Sequence, residues 1–276
     1  MQWSRNFTVI IAVLSAFVSL TANAKPAAPS PRIVALAPHL AEWMYLLELE
    51  SNLVGVSAYS DFPIAAKQKK VIADANGINF KALLSIQPDW VLVWEGGNKA
   101  QDISRLESMG FKLFRSSPKK LDDIGREVSE LGRLLGKGDM GLQIQSEFNQ
   151  QLAAIKQQYA KQSPMPVFFY MWTKPLMTIG ENAWANNAFN ICNIQTIFAD
   201  SPTDYPEVRL AEVLKRQPLA LITTIDASTE TLESFWRPHR NALSASIFKV
   251  NGAIINRFTP RIAKELERTC RALHQH

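Results

Sequence analysis

The chain is poor in the residues that carry chemistry. Four histidines occur in 276 residues, His39, His239, His274 and His276, and none stands at metal-motif spacing from a partner. There is no Gly-x-Ser-x-Gly elbow, no Walker-type phosphate loop and no Gly-x-Gly-x-x-Gly. The usual sequence marks of a hydrolase, a nucleotidase and a dinucleotide enzyme are therefore missing. Adjacent acids such as Asp122-Asp123 fall in a helical stretch and read as a solvated face. Basic residues are in excess, with a net charge of +5, but they are scattered without a Lys/Arg run. That spread argues against nucleic acid or a membrane surface as partner. Beyond residue 20, no segment approaches the roughly 20 apolar residues of a membrane span.

What is present begins with Arg5 and a 14-residue apolar segment, FTVIIAVLSAFVSL (7–20), followed by Thr21-Ala22-Asn23-Ala24. Small residues at the −3 and −1 positions of a cut after Ala24 make residues 1–24 a cleavable secretory signal. No cysteine follows the apolar run, so a lipid anchor is not expected. The only cysteines are Cys192 and Cys270. In an exported protein an even pair reads first as a disulfide, with two buried free thiols as the alternative.

From Pro31 onward short apolar runs alternate with amphipathic segments. RIVALAP (32–38), NLVGVSAY (52–59), DWVLVW (89–94) and FKLFRS (111–116) read as strands. Residues 39–49, 79–87 (capped by Asn79) and 99–110 read as helices. Residues 119–136 and 139–162 are helical with no strand between them, which suggests a connector. Alternation then resumes with VFFYMW (167–172), a helix near 183–192, RLAEVLKRQ (209–217) and LALITTI (219–225). A last helix, with Thr259-Pro260 as N-cap and first turn, is expected to run to about His274. FKALLSIQPDWVLV (80–93) and LAEVLKRQPLALIT (210–223) repeat one unit of helix, Gln-Pro break and buried strand, 130 positions apart. The pattern predicts an α/β protein of two Rossmann-like lobes with parallel sheets, joined by one long helix, with a ligand cleft between the lobes. The boundaries read as 25–137, 138–163 and 164–276.

Ligands of open parallel sheets bind outside the carboxyl ends of the strands. Aromatic residues stand at those places here: Tyr59, Trp94, Trp172 and, just before a helix, Tyr205. His39 follows the first strand and faces the same side, as a ligand or metal contact or as a plain helix-start residue. Gly96-Gly97 after Trp94 reads as backbone that bends away beneath an approaching ligand. Rigid aromatic planes without an acid, base or nucleophile set predict a binding protein for a large, partly apolar ligand rather than an enzyme.

Several stretches resemble the periplasmic binding proteins whose two α/β lobes are joined by a long helix and which serve ABC importers for vitamin B12, siderophores and haem. They are RIVALAP, GVSAYSDFP (55–63), WEGGN (94–98), the Gln-Pro-Asp strand entry and RFTPR (257–261). GVSAYSDFP and WEGGN are similar to the B12-carrying branch. The resemblance implies a monomeric periplasmic protein that captures cobalamin and passes it to an ABC importer permease, without a cofactor of its own. Haem, a ferric siderophore or another corrinoid is the alternative cargo, and a periplasmic enzyme reusing the fold is a further one. It implies that Cys192 and Cys270 form the family's disulfide. It also implies ligand contacts at Tyr59, Trp94, Tyr205 and Arg257, with Asn256 beside them. Met177 stands at a phenylalanine position of the family, Ala75 at a tryptophan and Ala253 at an aspartate. The family docks through one carboxylate on each lobe; Lys81 and Ala211 occupy those positions, and Glu212 is the nearest acid to the second.

Overall fold

The computed structural model describes residues 30–275, and the expected signal over residues 1–24 lies outside them. The segment Pro31–His276 packs as one compact unit. Its first half contains β1 (Ile33–Ala35), α1 (Pro38–Leu46), β2 (Leu53–Ser57), β3 (Val71–Asp74), β4 (Gly77–Ile78), α2 (Phe80–Ile86), β5 (Trp90–Trp94), α3 (Ala100–Ser108) and β6 (Lys112–Ser116). The strands form one sheet in the order β4-β3-β2-β1-β5-β6, parallel except for the β3–β4 hairpin. Next come α4 (Leu121–Leu134) and the long α5 (Gly138–Tyr159).

The second half contains β7 (Met165–Tyr170), β8 (Trp172–Thr173), β9 (Leu176–Met177), α6 (Trp184–Phe189), β10 (Ile194–Thr196), α7 (Leu210–Arg216), β11 (Ala220–Thr223), α8 (Thr229–Trp236), β12 (Ser246–Lys249), α9 (Gly252–Ile255) and α10 (Ile262–His274). Its main sheet is all parallel in the order β10-β7-β11-β12, and β8 with β9 makes a separate hairpin. The two-lobed parallel α/β architecture expected from the sequence is the one observed.

Period-two alternation explains how the sheets are covered. On β7, Val167 and Phe169 enter one core while Phe168 and Tyr170 enter another. On β5, Leu92 turns to the first core, whereas Val91 and Val93 meet α2 and α3 through Leu83, Ile86, Ile103 and Leu106. Residues from β1, β5, β7 and β11 all join the same inner core, with Phe148, Leu152 and Ile155 of α5 running through it. The lobes therefore share a continuous apolar interior.

Cys192 and Cys270 form the disulfide, with Cα atoms 6.0 Å apart and 78 positions between them. It fastens the segment after α6 to α10. His274, the last residue of α10, is held in place: its ring stacks on Tyr159 at 4.7 Å and its Nε2 lies 2.7 Å from the Cys192 carbonyl oxygen.

Some local expectations need correction. The VFFYMW strand ends at Tyr170, and Trp172 belongs to the β8–β9 hairpin, where it pairs with Met177. Tyr59 lies two residues past β2, in left-handed backbone with φ of 62°. Helix α10 begins at Ile262, not at Pro260. Thr259 is fully buried, and its hydroxyl has no hydrogen-bond partner, so it does not cap the helix. The flanking Arg257 and Arg261 are drawn to an acid on α1 instead, as described next.

Candidate ligand-binding cleft

The carboxyl ends of β2 and β5 present Tyr59 and Trp94. Tyr59 is 80% exposed, an unusual state for an aromatic residue without an external partner. Trp94 is half-buried, and its indole lies back over its own turn. A Cβ on Gly96 would come within 2.8 Å of Trp94 Nε1, and one on Gly97 would overlap the six-membered ring. The two glycines thus make room for the tryptophan itself. Asn98 completes the turn: its Oδ1 accepts from the Trp94 N–H at 2.8 Å, and its Nδ2 donates to the Leu36 carbonyl at 2.8 Å.

Beneath Trp94 sits His39, packed edge-on against Trp43, Trp94 and Phe258 at 5.1–5.6 Å. Its Nε2 lies 3.1 Å from Ser116 Oγ, which donates to Glu127 Oε2 at 2.7 Å. Burial, reinforced by the positive charge of Arg257, lowers the imidazole pKa to about 3. Burial raises that of Glu127. His39, Ser116 and Glu127 are all buried, and the serine proton points to the carboxylate rather than to the imidazole. The trio supports Trp94 from below and does not reach the cleft surface.

The opposite wall is knitted together by the backbone. Trp172 pairs with Met177 across the β8–β9 hairpin, and Met177 bridges to Glu207 of the segment that carries Tyr205. The Thr178 N–H donates to the Pro206 carbonyl at 3.0 Å, and the Val208 N–H to Leu176 at 2.9 Å. Trp172 is 62% exposed and Tyr205 51%. The hydroxyl end of Tyr205 is the desolvated part: burial raises its pKa, partly countered by a hydrogen bond from the Trp184 backbone.

Residues 257–261 join the walls. Phe258 packs against Trp94 at 5.4 Å and against Trp184 at 4.5 Å, so aromatic rings run unbroken from one lobe to the other. Trp43 and Trp184 donate their indole N–H groups to the Phe258 and Ile255 carbonyls at 2.9 and 2.8 Å. Arg257 reaches Glu42 at 3.0 Å, Asp61 at 2.7 Å and the Tyr59 carbonyl at 3.0 Å. Arg261 meets the same Glu42 at 2.6 Å and lies over the Phe62 ring at 3.7 Å. Glu42 is 3% exposed, so its charge is compensated by two guanidinium groups from the other end of the chain. The structure spends Arg257 on this bridge. Asn256 lies just before it and is exposed.

Glu42, Asp61, Arg261, Phe258 and Trp184 were not singled out from the sequence as site residues. The available signal was Glu42 itself, a lone acid in the otherwise apolar HLAEWMYLL. The two positions expected to dock are equivalent in structure, since Lys81 and Ala211 are each the second residue of their helices, α2 and α7, and both are exposed. Glu212 is engaged with Arg216 at 3.0 Å, which also binds Asp200. Ala75 lies exposed in the turn between β3 and β4. Among the described residues no group of three His, Cys, Asp or Glu side chains could hold a metal ion.

Residues 33–236 match the model of a family described as periplasmic binding protein. The vitamin B12-binding protein of Vibrio cholerae is 32% identical over 265 residues, 95% of each chain. The solved structure of a periplasmic vitamin B12-binding protein from the same organism superposes with a TM-score of 0.81 at 32% identity, covering 89% of this chain and 97% of that one. A periplasmic haem-binding protein of Roseiflexus has the same fold, with a TM-score of 0.78 at 18% identity and coverage of 89% and 98%. On the family match and the near full-length identity, the chain belongs to the periplasmic binding proteins.

Proposed function

We propose that the protein captures cobalamin in the periplasm and delivers it to an ABC importer, working as a monomer and without chemical change to the cargo. The observation that carries this reading is the set of aromatics at the cleft, exposed Tyr59 and half-buried Trp94 on one lobe and exposed Trp172 and Tyr205 on the other, above an aromatic floor. A flat, partly apolar macrocycle fits such walls, each ring covering part of its face. The B12-binding relatives point to the same cargo. The shared core and the Glu42 bridge limit the lobes to a small closure.

Calorimetric titration of the exported protein with cyanocobalamin, haem and a ferric siderophore tests it. Saturable one-to-one binding of cyanocobalamin, tighter than about 1 μM, is the expected result. Binding of haem or the siderophore alone would transfer the assignment to that cargo. For the delivery step, Lys81 and Ala211 suit a permease whose docking surface does not rely on a carboxylate from each lobe. Lys81→Glu should then slow association with such a permease, because surface charges act mainly on the encounter rate.

A further inference from the structure

A cavity of about 780 Å³ opens at the carboxyl ends of β11 and β12, and its walls come only from residues 224–268. Asn256 stands on its rim, and the next residue, Arg257, bonds the carbonyl of Tyr59. The cavity therefore adjoins the place where the C-terminal lobe meets the aromatic wall of the N-terminal lobe. We propose that it is a side pocket of the ligand site that takes an uncharged, carboxamide-bearing arm of the macrocycle and discriminates against a carboxylate arm. This rests on the reading of the cleft as a macrocycle site.

The charges lining it cancel in pairs. Lys249 holds Asp226 at 2.8 Å and also donates to the Ala227 carbonyl at 3.1 Å. Arg268 holds Glu265 at 2.6 Å, and Glu265 in turn accepts from the Asn251 N–H at 2.8 Å. Two cations and two anions leave no uncompensated positive charge to attract an incoming carboxylate. Among the described residues, the side chains of Thr224 and Asn256 take part in no hydrogen bond, and both line the cavity. An asparagine amide offers two donors and an acceptor, and so pairs with a second amide in both directions.

The shape of the wall agrees. Gly252 backs onto Thr224, where an added Cβ would come within 3.1 Å of the threonine Cβ, so a side chain there would narrow the pocket. Ala253 contributes no polar group and leaves the space to the ligand. Cobalamin carries peripheral carboxamides, whereas haem carries propionates. The pocket would sort the two by the charge of their arms, while the aromatic walls accept either ring.

The test compares cyanocobalamin with its monocarboxylic acids, in which one peripheral propionamide is hydrolysed, by calorimetry on the exported protein at pH 7.5. At least one positional acid should bind about tenfold more weakly than the parent. Asp226→Asn frees the charge of Lys249, so the ratio of acid to parent Kd should fall at least about threefold in that variant. Equal binding of parent and all acids, or an unchanged ratio in Asp226→Asn, would overturn the proposed pocket while leaving the cobalamin reading standing. No binding of cyanocobalamin itself would overturn both.

Discussion

In the N-terminal lobe α2 is followed by a left-handed Gln87 with φ and ψ of 51° and 64°; in the C-terminal lobe α7 is followed by Gln217 with 47° and 64°. A proline and a parallel strand follow each. The strand orders β2-β1-β5-β6 and β10-β7-β11-β12 superpose in sense, the first sheet carrying β3 and β4 as an extra edge. Yet the strand ends differ in chemistry. The N-terminal lobe offers aromatic faces held by a buried histidine, and the C-terminal lobe offers an aromatic rim beside a polar cavity. Equivalent helix starts carry Lys81 and Ala211. A repeated backbone thus fixes where a cleft lies without fixing what either half does in it.

The sharpest difference between the lobes is covalent. Only the C-terminal one is stapled, and Cys192→Ala with Cys270→Ala should cost about 4–5 kcal/mol, the chain-entropy value for a loop of this length. Urea unfolding measures the loss, and hydrogen exchange locates it. Amides of β7 and β11 should lose protection before those of β1 and β5. Equal loss in both sheets would show that the shared core fuses the lobes into one cooperative unit.

Removing the bridge between the lobes comes next. Glu42→Ala leaves Arg257 and Arg261 facing each other without their common acid and should destabilise by about 3–4 kcal/mol in the same unfolding measurement. A cost below about 1 kcal/mol would mean that the guanidinium groups find water or other acids readily.

Acid sensitivity should belong to the N-terminal lobe. The folded pKa of His39 lies at about 3, below the 6.5 of the free side chain. The folded state thus binds fewer protons, and its stability is full above pH 6.5 and is lost as pH falls from there towards 3. Between pH 7.5 and 5 the loss should reach about 2 kcal/mol. His39→Gln should flatten that part of a stability–pH curve, and an unchanged slope would assign it to other groups.

The smallest effect separates the two aromatic residues on the N-terminal wall. Tyr59→Ala should weaken cobalamin binding about tenfold with less than about 0.5 kcal/mol of stability lost, because the ring is exposed. Trp94→Ala should weaken binding similarly but also cost about 2 kcal/mol, since Trp94 packs on His39 and Phe258. Its packing against these two buried rings makes Trp94 a part of the fold as well as of the cleft.

Legibility followed the strength of local patterns. Buried central strands such as WVLVW, the Asn79 cap and the Gln-Pro repeat announce themselves within a few residues. The short strands β3 and β12 do not, because VIAD and SIFK are exposed at both ends and carry only three and two apolar residues in a row. The Glu42 bridge was hidden for another reason: its partners lie 215 and 219 positions away, and no local pattern ties an acid on α1 to RFTPR. The same distance misled the reading of Thr259 as a cap, and it hid the bridge that holds Arg257, the expected ligand contact.

The continuous interior has a consequence for signalling. A carrier whose halves cannot swing far has nearly the same silhouette empty and full, so its small-angle scattering profile should scarcely change on loading. Whatever receives the cargo must then recognise it at the mouth of the cleft, from the ordered rims and the exposed edge of the cargo itself, and not from the angle between the halves.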